Sequence, residues 1–84
     1  MALATSLPVS VSTAEVEVFR TNVERQVDAD NIVCKLKLFF PLSHFNFDLE
    51  DCDHILRVRA RREVINEVPQ LLQRWGYYCE ILQA

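Results

Sequence analysis

Cys52 and His54 place a thiol and an imidazole two residues apart, the best pair of soft donors in this chain for zinc or copper. His44 stands upstream as a possible third. Two ligands do not make a site, and Cys52 falls in a turn. The simpler reading is an exposed turn cysteine and a surface histidine, with no metal bound. Cys34 follows Val33 on a helical pattern and reads as half-buried packing. Cys79 sits in a late strand pattern and reads as a small hydrophobe. The three cysteines thus belong to different elements, no CxxC occurs, and a preformed three-sulfur site is not expected. Asp48, Glu50, Asp51 and Asp53 could attract a hard cation, but they lack the spacing and the glycine of oxygen cages. No nucleophile–base pair has an oxyanion partner, and no glycine loop could cradle phosphate. The chain therefore reads as a non-enzyme without a cofactor.

Charge narrows the partners. Nine basic and twelve acidic residues give a net charge of −3, and the pI is near 5.2. A phosphate-binding protein usually shows a basic face and a high pI, so nucleic acid is not an expected partner. The exception is the run Arg57, Arg59, Arg61, Arg62, which reads as a solvated strand face beside acidic neighbours. No run approaches membrane-spanning length, so no membrane partner is expected. The amino end, MALATSLPVSVST, lacks the basic region and apolar core of a signal peptide. The expected setting is the cytoplasm, with reduced thiols. Eighty-four residues make one domain. Residues 1–12 read as a flexible tail and 13–84 as the folded unit. The alternation of Leu7, Val9 and Val11 leaves open an edge strand or a contact with another chain.

The positioning elements follow from periodicity. EVEVFR, residues 15–20, alternates as a strand with Glu15 and Glu17 on its wet face. A first helix is expected from Asp28 as N-cap, with Ala29, Ile32, Val33, Leu36 and Phe40 as its buried stripe and Pro41 as its stop. Phe45, Phe47 and Leu49 alternate with polar residues, Asp51-Cys52-Asp53 turns the chain, and Leu56, Val58 and Ala60 mark the partner strand of a hairpin. In the second helix Val64, Val68, Leu71, Leu72 and Trp75 share a face. Asn66 as N-cap would put Pro69 harmlessly in the first turn; a start near Arg62 with a kink at Pro69 is the alternative. Gly76 closes this helix, and residues 77–82 form the last strand, with Cys79 and Ile81 toward the helices.

The order β-α-β-β-α-β with right-handed crossovers gives an α+β, ferredoxin-like sandwich: a four-stranded antiparallel sheet in the order 4-1-3-2 with two helices on one face. Glu15, Glu17, Asp48 and Glu50 would then lie across from Arg57 and Arg59 and fix the register. Phe19, Tyr78 and Leu82 fall on the open face by alternation and are the expected interaction surface, for a protein partner or a homodimer. Any self-association is expected at the fourth strand, whose edge carries only Glu80, or at this open face.

Over residues 16–82 the chain resembles the heavy-metal-associated domain family, the small copper-chaperone-like modules. FDLEDCDHILRV looks like the family's V-D-L…V-x-V hairpin, and WGYYCEIL looks like its L-G-Y-x-a-x-l ending. The resemblance implies the fold. It also implies a metal motif, M-x-C-x-x-C, between the first strand and first helix, where this chain reads FRTNVERQV with no Cys, His or Met. It therefore looks like a divergent, bacterial branch of the family without the usual metal loop. Its function is then a small binding module, or alternatively a metal binder with ligands drawn from Cys52, His54 and His44.

Overall fold

The computed structural model describes residues 14–82. The expected tail, 1–12, and its alternation of Leu7, Val9 and Val11 lie outside the described residues. Four strands, β1 (Glu15–Thr21), β2 (His44–Asp48), β3 (Ile55–Ala60) and β4 (Cys79–Ile81), alternate with two helices, α1 (Gln26–Phe39) and α2 (Arg62–Arg74). The sheet is antiparallel in the order β2-β3-β1-β4. This is the expected order read from the other edge, and the α+β arrangement is consistent with a ferredoxin-like sandwich.

One core joins both helices to one sheet face. Ile32 and Leu36 of α1 and Ile65, Val68 and Leu72 of α2 pack with Phe19, Phe45, Leu56, Val58 and Cys79. The hairpin register explains the strand residues: Phe45 lies opposite Val58 and Phe47 opposite Leu56, so their side chains share a face.

The first strand corrects the sequence reading. Phe19, placed on the open face by alternation, is fully buried against the helices. It pairs with Leu56 on one side and Ile81 on the other. Val16 and Val18 take the opposite parity and lie on the open face, with Val16 58% exposed. Glu15 and Glu17 therefore share the helix side with Phe19. They do not oppose Arg57 and Arg59, as the charge pattern suggested. They meet Arg62, at the start of α2, whose guanidinium reaches both carboxylates. Those carboxylates hold the Arg62 pKa above its ordinary value, Glu15 most strongly.

Both helices begin one turn earlier than their best caps imply. Helix α1 starts after Arg25, with no side-chain cap, and Asp28 sits in its first turn, 4.0 Å from Arg25. Helix α2 starts after Arg61, so Pro69 lies inside it. The Asn66 start is thereby corrected in favour of the earlier one. Proline leaves the Ile65 carbonyl without its helical donor. Burial of the Ile65 side chain, 1% exposed, offsets this by adding a turn to the stripe Ile65, Val68, Leu72.

Gly76 ends α2 as expected, with φ +96°. The Gly76 amide donates to the Gln73 carbonyl and the Tyr77 amide to the Leu72 carbonyl, the paired bonds of a Schellman stop. Strand β4 is then only three residues long, with the Tyr78 amide held by Asn22 Oδ1 at 2.9 Å. Its Cys79 carbonyl accepts from Gln73 Nε2 at 3.4 Å. Shortness and this side chain guard the β4 edge. The β2 edge is longer.

Candidate functional site

The segment where the resemblance implies a metal loop is occupied by packing. After β1, Thr21 and Val23 are buried, and the Val23 amide donates to Thr21 Oγ1 at 3.1 Å. Asn22 points to β4, as above. None of the side chains of 22–25 offers a soft donor.

The β2–β3 connection is pinned beside that segment. Thr21 Oγ1 donates to the His54 carbonyl at 2.6 Å, and the Thr21 amide donates to the Asp53 carbonyl at 3.1 Å. These bonds hold His54 at φ +46°, a left-handed conformation that non-glycine residues seldom take. The Asp53 amide donates to Asp51 Oδ1 at 2.9 Å, and the Glu50 amide to Asp48 Oδ1 at 3.2 Å. The acidic side chains thus serve the turn.

Asp51, Cys52 and Asp53 bring one ligand atom each within 4.8 Å of one another, the only such group among the described residues. It is mostly exposed, and Asp53 is shared with Arg20 Nε at 3.4 Å. His54 does not join it. His44 begins β2, so the length of the strand, about 13 Å, separates it from this turn. The three metal candidates, Cys52, His54 and His44, are therefore not brought together. Cys79 is buried, and burial pushes its thiol up to about 12, with the charge of Glu80 adding to the effect. It stays protonated near neutrality and offers neither nucleophile nor metal-binding thiolate. Cys34 is exposed, which corrects its half-buried reading: one step past Val33, it has rotated to the solvent side of α1.

Of the expected interaction residues, Tyr78 and Leu82 do border the open face, Tyr78 exposed and Leu82 half-buried. Glu80 raises the pKa of the Tyr78 phenol. The Leu82 amide donates to the Val18 carbonyl at 2.9 Å, which seats it beside β1. Phe19, as shown above, is elsewhere.

Sequence reasoning missed an open groove of about 300 Å³ between α1 and β2. Ala29 and Val33 form one wall, Phe45 and Phe47 the floor, and Asp30 and Cys34 the rim. The heptad-like spacing of Ala29 and Val33 and the alternation of Phe45 and Phe47 were visible, but their separation was not. Beside the groove runs the outer edge of β2. Alternate amides and carbonyls of an edge strand point away from the sheet, and among the described residues nothing pairs with them. A second exposed apolar group, Leu38, Phe39 and Leu42, lies at the end of α1, where Phe39 stacks on Trp75 at 6.1 Å.

No described helix is long and apolar enough to cross a membrane. Comparison with protein-family models, curated proteins and solved structures found no match to this chain.

Proposed function

We propose that this chain is a non-enzymatic interaction module, built on a ferredoxin-like, metallochaperone-like fold without the usual metal site. The observation that carries the reading is the unpaired β2 edge beside the groove. An extended segment of a protein partner, or of a second copy, would add to the edge through its backbone. Its alternate side chains would enter the groove over Phe45 and Phe47. The short and partly capped β4 edge supports such addition less well. The exposed thiols of Cys34 and Cys52 suit a reducing, cytoplasmic setting.

Cys34 on the rim provides the test. Peptides selected from a display library against immobilised protein are expected to lose binding when Cys34 carries a bulky maleimide. The same adduct on Cys52, in the β2–β3 turn and outside the groove lining, should leave binding intact. Equal loss from both adducts, or from neither, would remove the groove from this reading.

The second reading, an atypical copper or zinc binder, has the Asp51–Cys52–Asp53 group in its favour. Against it stand the exposure of that group and the engagement of Asp53 with Arg20. Reduced protein is expected to compete with a copper(I) chelator no better than a generic free-thiol protein. Stoichiometric copper(I) binding abolished by Cys52→Ser would reverse the order of the two readings.

A further inference from the structure

The displacement of Glu15 and Glu17 to the helix side leaves two arginines without counter-charges. Arg57 and Arg59 are exposed on β3, an interior strand, and point to the open face. Across β2, Asn46 lies opposite Arg57 and His44 opposite Arg59. Across β1, Val18 and Val16 occupy the same two rows. Two guanidinium groups, an imidazole and a carboxamide thus stand together, and each can donate.

The acids near this face are engaged elsewhere. Asp53 and Glu80 both pair with Arg20, and Asp48 accepts from the Glu50 amide. Among the described residues neither Arg57 nor Arg59 forms an ion pair. Residues 1–13 and 83–84 contain no Asp or Glu, so no acidic side chain there could supply the missing charge. Like charges two residues apart on one strand face repel. An acidic chain that keeps such a pair, unneutralised, at the middle of its sheet has a surface complementary to an anion.

We infer that the open sheet face docks an acidic polypeptide segment in extended conformation, with carboxylates two residues apart set on Arg57 and Arg59. The spacing fits: side chains at i and i+2 on an extended strand repeat at about 7 Å, the same repeat as the two arginines. Arginine takes carboxylates bidentately. Val16 and Val18, in the same two rows as the arginines, give the methylene groups of those acidic side chains an apolar bed. A polynucleotide fits less well, because no Phe, Tyr or Trp stands in these two rows among the described residues to stack a base. The net charge of −3 also opposes a long polyanion. This surface is distinct from the β2 groove and does not depend on it.

The test is fluorescence anisotropy with a labelled peptide of alternating Glu and Val, at low ionic strength. Saturable binding is expected, weakened by added salt and absent for the matching Gln–Val peptide. Arg57→Gln/Arg59→Gln should weaken it about tenfold, as the loss of two exposed charge pairs implies. Arg57→Lys/Arg59→Lys, which keeps the charge, should retain most of it. Both pairs of side chains are exposed, so thermal melts should match the parent and show that each variant is folded. Undiminished binding by the Gln variant, or no saturable binding at all, would overturn the inference. So would tighter binding of an oligothymidylate of equal charge, which would assign the face to nucleic acid. A salt-sensitive dimer of the protein alone, dissolved by the Gln variant, would instead assign it to the acidic turn of a second copy.

Discussion

Phe19→Ala should lower the free energy of unfolding by about 3–5 kcal/mol, the usual cost of emptying a buried phenylalanine site. The ring is fully buried at the centre of the sheet, between Leu56 on β3 and Ile81 on β4. Its removal would leave a cavity beneath both helices. Domains of this kind are stable by about 5–15 kcal/mol in total, so the variant would keep a small part of its margin. Leu82→Lys is the contrast. That side chain is half-buried at the open face, outside the core cluster, and the change should stay within about 1 kcal/mol. Urea melts followed by Trp75 fluorescence would compare the two. A cost below about 1 kcal/mol for Phe19→Ala would return Phe19 to the open face; Phe19→Leu serves if the alanine variant does not fold.

The parity of β1 shows where sequence patterning stops being decisive. In EVEVFRT the two valines alternate with two carboxylates, and the ordinary rule turns the valines inward. But Glu15, Glu17 and Phe19 share one parity, and the strand is longer than the core is wide. Only its second half, Phe19 and Thr21, is buried on the helix side. Its first half reaches the start of α2, where Arg62 meets the carboxylates. Val16, 58% exposed, lies in the half of the strand beyond the core, so the choice of parity sets the Phe19 ring against Val18 alone, and the ring removes more apolar surface from water. The hairpin had no such conflict: Phe45 and Phe47 face Leu56 and Val58 with one parity throughout, and it was legible. So was the glycine stop at Gly76. The start of α2 was misread because proline's local cost is visible in sequence while the burial of Ile65 is tertiary. The groove was hidden for a similar reason. It depends on how far α1 stands from β2, a distance that no spacing along the chain encodes. The open arginine pair was seen, but its meaning rested on the parity of β1 and changed with it.

Cys79 gives the second large effect, a loss of stability in alkaline solution. Its ordinary value of 9.0 is pushed up to about 12 in the folded protein, first by burial and then by the charge of Glu80. Below pH 9 the thiol is protonated in both states and contributes no pH dependence. Between about 9 and 12 the unfolded chain releases the proton while the folded chain keeps it. The folded state then binds more protons, so stability falls as pH rises, by about 1.4 kcal/mol per unit. Moving from about pH 8 to about pH 10.5 should thus cost about 2 kcal/mol through this residue alone. Other groups titrate in the same range, the Tyr78 phenol beside Glu80 among them, and they remain in a Cys79→Ala variant. The difference between parent and variant isolates the thiol. Cys79→Ala should be less stable near neutrality, because a buried side chain is truncated, yet its stability should fall less steeply above pH 9. Urea melts of both proteins under reductant, across that range, would read the two slopes. Parallel slopes would mean that the Cys79 thiol ionises in the folded state as readily as in water. The last strand would then hold it much less firmly against Thr21 and the helices than the register of β1 and β4 implies.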